Sequence, residues 1–336
     1  MIFRKTPSPE SNLACLSLVS ELSVHPAFIS VHSDAVACNP SLVFRDGHFK
    51  AIIRGILPIN NKTVNKSTPT TENWIVDLDQ NLTLIQAQKI DDLWVRETIP
   101  SALLGLEDGR LFVWKSQEWV LFSGFSDAAG GGKNTMVLCR LEGNQLFDAV
   151  ELKSPFRKLR EKNWMPWVLG EDLFFVYSCS PLEIFKYMGE GKLQRTSYPK
   201  PSVASMQLKR FKPNTFISGS SQVIPWDEGF LAVVHYRERM HSLQRFWMKF
   251  FNRDKDYQVR KVLFRHCLIL FGEDFSIKAV SQPFRFELDG VEFCAGLAVK
   301  DRTVFLSYGL LDREAKVIQM DERTLKKMLI LSSHTY

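Results

Sequence analysis

The chain has 336 residues, of which 45% are hydrophobic and 24% charged, with a net charge of +6. That is the balance of a globular protein with a substantial core, and the length admits one to three domains or one large all-β domain. The basic residues are too dispersed for a nucleic-acid surface. The densest runs, 153–162 and 237–261, are broken by apolar and acidic residues, so no nucleic-acid partner is expected. A sugar phosphate, nucleotide sugar or anionic glycolipid suits the charge equally well. The six cysteines, Cys15, Cys38, Cys139, Cys179, Cys267 and Cys294, show no C-x-x-C pair and no histidine at zinc spacing. Buried free thiols are expected, with no metal and no cofactor. The first 21 residues, interrupted by Pro7, Pro9 and Glu10, do not read as a signal peptide. No apolar run approaches the roughly 20 residues of a membrane span. A cytoplasmic location follows as an expectation.

Residues 1–35 read as a closing strand or a surface segment. From residue 36 onward, short apolar runs alternate with turn residues and helical periodicity is scarce. Ser41–Phe44 and Phe49–Ile53 flank Arg45-Asp46-Gly47-His48, a strong hairpin signal. Further pairs are Leu111–Trp114 with Trp119–Phe122, Trp167–Leu169 with Leu173–Tyr177, and Ser221–Pro225 with Phe230–His235. Leu263–Phe271 and Val304–Tyr308 follow. The pairs fall into five groups, near 36–90, 91–150, 158–205, 212–275 and 280–325. This repetition predicts an all-β, five-bladed β-propeller with a central pocket over residues 36–325. A β-sandwich is the structural alternative. The polar stretch 60–72 and the basic, aromatic stretch 237–261 read as loops or insertions. Residues 324–330 predict a short basic helix that runs into the C-terminal tail, 326–336. The glycine-rich run 128–133 lacks the Ser/Thr after Lys133 that a phosphate-binding P-loop carries, so it reads as a connecting loop.

The most informative stretch is Glu107-Asp108-Gly109-Arg110, placed as a turn just ahead of the apolar run Leu111–Trp114. One carboxylate can act as an acid while the arginine holds its neighbour or a substrate oxygen. The plain alternative is a β-turn in which Asp108 and Gly109 only make the bend. Other polar residues interrupt apolar surroundings in the same way. His235 ends an apolar strand and is either a ligand or a satisfied core group. Glu292 lies in a strand that should be buried and needs a partner there. Asn39 is a sugar contact or a strand-start cap. Lys162, Arg54, Tyr308 and Asp312 are candidate pocket lining. Glu107 is read as supporting the turn or orienting Arg110.

Five segments together resemble the glycoside hydrolase family 130 superfamily of mannoside phosphorylases, β-mannosidases and related mannosyltransferases. They are Asn39-Pro-Ser-Leu-Val-Phe-Arg-Asp-Gly47, Gly105-Leu-Glu-Asp-Gly-Arg-Leu-Phe112, Glu161-Lys-Asn-Trp-Met-Pro-Trp167, the segment from Gly219 to Tyr236, and Gly290-Val-Glu-Phe-Cys-Ala-Gly-Leu-Ala298 followed by Ser307-Tyr-Gly309 and Asp312. The resemblance implies a five-bladed propeller that transfers a glycosyl group, mannosyl first among the candidates, to or from phosphate with inversion. It implies Asp108 as the general acid and His235 as a phosphate contact. Lys162, Tyr308 and Asp312 would line the pocket. The arginine beside the glycine of the fourth segment is absent, since Phe216-Ile-Ser-Gly-Ser-Ser221 stands there. The chain also looks closer to the transferase branches. The implied partners are a mannoside, sugar 1-phosphate or nucleotide sugar, together with inorganic phosphate or a glycan acceptor. Two rival readings are an inverting hydrolase, with Glu292 or Asp312 as base, and a propeller that binds a glycan or protein without turning it over.

Overall fold

The computed structural model describes residues 16–17, 24–25, 35–57, 70–127, 132–156, 160–196, 204, 208, 217–239 and 262–330. The glycine-rich run at 128–131, Cys15, Arg157, Lys158, Lys212, most of the basic insertion and the tail from 331 lie outside them.

Five antiparallel sheets follow one another along the chain. Blade 1 comprises strands Val36–Arg45, His48–Ile56, Thr71–Leu78 and Leu84–Lys89. Blade 2 comprises Gly105–Trp114, Gln117–Ser126, Lys133–Glu142 and Gln145–Glu151. Blade 3 comprises Met165–Leu169, Asp172–Cys179, Leu182–Tyr187 and Leu193–Arg195. Blade 4 is built on the long pair Gly229–Arg239 and Val262–Phe271. Blade 5 comprises Glu292–Lys300, Thr303–Leu310 and Glu314–Asp321. Its fourth strand, Val24–His25, comes from the N-terminal segment and pairs with Ile318 and Val317. Leu16–Ser17 adds in parallel to Phe284–Arg285, which belongs to blade 4 rather than opening blade 5. The architecture is a five-bladed β-propeller.

The local reasons are visible in the turns. Asp46 and Gly47 both take positive φ, 52° and 81°, between the paired Arg45 and His48. That is the two-residue hairpin loop whose twist matches the flanking strands. The ring is held by five apolar layers, one between each pair of neighbours. Leu111 and Phe122 meet Ile52 and Ile75 between blades 1 and 2. Phe112 and Met136 meet Trp164 and Phe175 between blades 2 and 3. Trp167 and Val176 meet Val234 and Ile269 between blades 3 and 4. Val233 and Leu268 meet Leu297 and Leu306 between blades 4 and 5. Phe305 and Val317 meet Leu42 and Phe49 between blades 5 and 1. Each sheet is thus covered on both faces, which explains the near-continuous apolar runs such as Phe230–Val234. The five described cysteines are buried and none forms a disulfide among the described residues. The short basic helix spans Glu322–Ile330. Among the described residues no helix is long and apolar enough to cross a membrane.

The first strands of the blades meet at the axis, where backbone approaches backbone. A Cβ on Gly296 would lie 2.3 Å from Leu42 N. Gly296→Ala should therefore push blades 5 and 1 apart and cost about 1–3 kcal/mol. An unchanged urea midpoint for this variant would show that the two strands can yield.

Candidate active site

The stretch Glu107–Arg110 is not a turn ahead of a strand. It lies inside the first strand of blade 2, where the register slips between Glu107 and Arg110. This is a β-bulge, with Asp108 at φ 46°. A matching slip between Cys38 and Ser41 holds Asn39 at φ 47° in blade 1. Bulges of this kind re-aim a side chain out of the alternation of the strand. Here they bring Asn39 and Asp108 together, and Asn39 Nδ2 donates to Asp108 Oδ1 at 2.8 Å. Gly309 makes room for this pair: a Cβ there would stand 2.0 Å from Asn39 Oδ1.

Arg54, on the second strand of blade 1, forks across both acids. Its Nη1 donates to Asp108 Oδ1 at 3.0 Å and its Nη2 to Glu107 Oε1 at 2.7 Å. Its Nε donates to Thr71 Oγ1 at 3.1 Å. The carboxylate clamp is therefore Arg54 and not Arg110. Arg110 is fully buried and ties blades together: Nη1 donates to the Asp108 carbonyl, Nε to the Ser220 carbonyl and Nη2 to Asn163 Oδ1, at 2.6, 2.9 and 3.1 Å. Glu107 pairs with Arg54 and does not orient Arg110.

These groups open on a cavity of about 310 Å³ lined by residues of all five blades. Asn39, Arg54, Glu107, Asp108, Lys162, Asn163 and Asp312 form its polar side. Val262, Phe264, Val291 and Phe293 form an apolar side, with Arg237 beside them. Of the sequence candidates, Asn39, Arg54, Glu107, Asp108, Lys162 and Asp312 meet on this cavity. Arg110, His235, Glu292 and Tyr308 do not reach its wall. His235 lies behind Phe264, their rings stacked at 5.3 Å, and its Nδ1 meets Ser220 Oγ. Burial, then the neighbouring charges of His266 and Arg237, hold its pKa well below the usual value, so it is neutral. Glu292 accepts the backbone N–H groups of Phe286, Glu287 and Leu288 at 2.6–2.7 Å. Its carboxylate thus serves the fold of that loop. Tyr308 is buried against Phe286 at 4.2 Å, with its hydroxyl on Glu287. Arg237, Phe264 and Phe293 were not singled out for the pocket by sequence. Arg237 has the basic run around it as its one signal, and the two phenylalanines look like any buried strand residue.

The two adjacent acids titrate apart. Burial pushes the Asp108 carboxyl up, but Arg54, Arg110, the Asn39 hydrogen bond and Lys162 outweigh it and hold it at about 2. Burial pushes Glu107 up, Arg54 offsets part of this, and the charge of Asp108 adds to it. Lys162 and Arg237 line the same cavity and form no ion pair among the described residues, although the charge of Lys162 acts on both acids. Burial and the nearby charge of Arg160 push the Arg237 guanidinium down. The cavity therefore joins an ionised acid already held by cations to two further cations that form no ion pair among the described residues. Among the described residues no three His, Cys, Asp or Glu side chains come together as a metal set.

No protein-family model matches the chain, and no curated protein matches it. Solved structures do. One is a β-1,2-mannobiose phosphorylase from Listeria innocua in complex with β-1,2-mannobiose. It is 10% identical, with a TM-score of 0.57 over 92% of this chain and 97% of that one. The chain shares the fold of the family 130 mannoside phosphorylases. A mannose phosphorylase from Leishmania mexicana, in complex with phosphate ion, is 11% identical with a TM-score of 0.53, covering 87% of this chain and 86% of that one. A structure from work on family 130 hydrolases that target β-1,2-mannosidic linkages in Candida mannan is 12% identical, with a TM-score of 0.54 over 86% and 85%.

Two outcomes follow from the site. Arg54→Gln should raise the Asp108 carboxyl from about 2 toward its ordinary value, read by carboxyl ¹³C NMR titration. The sign for stability is set by the same shift. The folded value lies below the ordinary 3.8, so the charge of Asp108 stabilises the fold above about pH 4 and that contribution is lost as pH falls through about 2. Glu292→Ala should leave three amides unpaired, at a cost of about 1–3 kcal/mol each. An unfolding midpoint equal to that of the wild type would show that water replaces the carboxylate.

Proposed function

We propose that the protein is a carbohydrate-active enzyme that transfers a glycosyl group, mannose or a related sugar, between a phosphate-bearing donor and a hydroxyl acceptor, with inversion. The observation that carries this reading is one cavity that joins an ionised Asp108, held by Arg54, to the cations Lys162 and Arg237, which form no ion pair among the described residues. The folds it shares with phosphorylases of mannosides support the choice of sugar.

In the transfer direction, Asp108 takes the proton of the acceptor hydroxyl. The acceptor oxygen bonds to the anomeric carbon, the bond from that carbon to the phosphate oxygen breaks, and the electron pair leaves with the phosphate. Lys162 and Arg237 hold the growing negative charge of that group. Phosphorolysis is the reverse, with Asp108 returning the proton. Arg54 keeps Asp108 charged at neutral pH, which suits the base more than the acid. Because phosphate brings its own charge and nucleophilic oxygen, no second carboxylate is required. Hydrolysis would need one, and Asp312 is the candidate because it lines the cavity whereas Glu292 is spent on backbone amides.

Incubation with mannose 1-phosphate and mannose or mannobiose should release inorganic phosphate and lengthen the acceptor. Asp108→Asn should lower that rate by about 10²–10⁴-fold. A variant as fast as the wild type, or free sugar released without any dependence on acceptor or phosphate, would refute the reading.

A further inference from the structure

The apolar side of the cavity is the feature that the transfer chemistry leaves unexplained. Five apolar layers are closed between blades. A sixth cluster, Phe264, Phe293 and Ala295 with Val262 and Val291 packed on it, opens on the cavity instead. The two valines are half-buried and offer no donor or acceptor. A sugar hydroxyl placed there would lose water without gaining a partner. Arg237 stands on the same wall, its guanidinium over the Phe264 ring at 5.1 Å. The wall therefore joins a cation with no ion pair among the described residues to an aliphatic and aromatic surface. That is the complement of an amphiphilic anion.

We propose that the donor is a sugar phosphodiester whose second ester is an apolar alcohol, with the phosphate at Arg237 and Lys162 and the first carbons of the alcohol on Val262, Val291 and Phe264. This rests on the transfer reading above and names its donor class. A cavity of about 310 Å³ stands at the small end of ligand pockets. It suits a sugar phosphate with the start of its ester. A nucleotide sugar would ask the same wall for hydrogen bonds to a base edge, and Val262, Val291, Phe264 and Phe293 supply none. The step balances without a further reactant. The anomeric carbon loses its bond to the phosphodiester oxygen, which keeps the electron pair and departs as an alkyl phosphate monoester. The acceptor oxygen takes its place, and its proton passes to Asp108.

Calorimetry on the full chain with citronellyl phosphate, inorganic phosphate and guanosine monophosphate tests this. Each buried methylene is worth about fourfold in affinity, so citronellyl phosphate should bind at least ~30-fold more tightly than inorganic phosphate. The double variant Val262→Ser, Val291→Ser should erase most of that preference. Equal affinity for the two phosphates, a preference that survives the double variant, or tighter binding of guanosine monophosphate would each overturn the proposal. Turnover of mannose 1-phosphate is scored separately. Turnover without a citronellyl preference would sink the apolar donor and leave the transfer reading standing. The preference without turnover of any sugar phosphate would keep the apolar site and sink transfer.

Discussion

Arg110 is the charge around which the axis is assembled. It is fully buried, so its donors need acceptors within the fold. They find the Asp108 carbonyl of its own blade, Asn163 just ahead of blade 3 and the Ser220 carbonyl of blade 4, while Phe293 of blade 5 lies against its face at 5.1 Å. Burial pushes its pKa down to about 10, with the charge of Asp108 opposing the fall, so it stays cationic at neutral pH. Gln222 performs the same service with neutral groups. Its Nε2 donates to the carbonyls of Leu42 and Leu297, and its Oε1 accepts from Leu297 N. Five strands that meet edge-on at an axis cannot complete one another's hydrogen bonds, and these two side chains supply what the ladders cannot.

The site grows out of that constraint. Because Arg110 grips the carbonyl of Asp108, the bulge at Asp108 is held in its left-handed conformation and its carboxylate turns to the cavity. Arg54 then meets that carboxylate and Glu107 together. One cation shared by two adjacent acids cannot stabilise both charges equally. The acid with the short Asn39 hydrogen bond and the added charge of Arg110 stays ionised, and the other is pushed up by burial and by its neighbour's charge. The chemistry proposed for Asp108 is thus a consequence of backbone geometry two residues away.

Much of the fold was legible along the chain. Asp46-Gly47 announces its hairpin because it accepts positive φ at both positions, and runs such as Phe230–Val234 announce strands covered on both faces. The five groups of hairpins correspond to five sheets, although Phe284–Arg285 joins the fourth. The candidate site was legible in part. Asn39, Arg54, Glu107, Asp108, Lys162 and Asp312 were candidates and do reach the cavity. His235, Glu292 and Tyr308 were candidates in the same manner and lie behind it, on Ser220, on the amides of 286–288 and on Glu287. A polar residue in an apolar run signals a buried partner, and nothing local says whether that partner is a ligand or the protein itself.

By itself, then, the amino-acid sequence determined where hairpin turns such as Asp46-Gly47 fall and which runs form strands, since turn conformation and two-sided burial are properties of a few neighbouring residues; it did not show that Glu107–Arg110 lies inside a strand. It also marked which polar side chains must find partners. Only the tertiary structure decided which partners those are. Arg54 and Asp108 stand 54 positions apart, and Arg110 and Ser220 stand 110 apart; their meeting depends on how five sheets close into a ring. The open apolar cluster of Val262, Phe264, Val291 and Phe293 was decided at the same level, because a valine on a cavity wall and a valine in a core are identical until the neighbouring blade covers one and not the other.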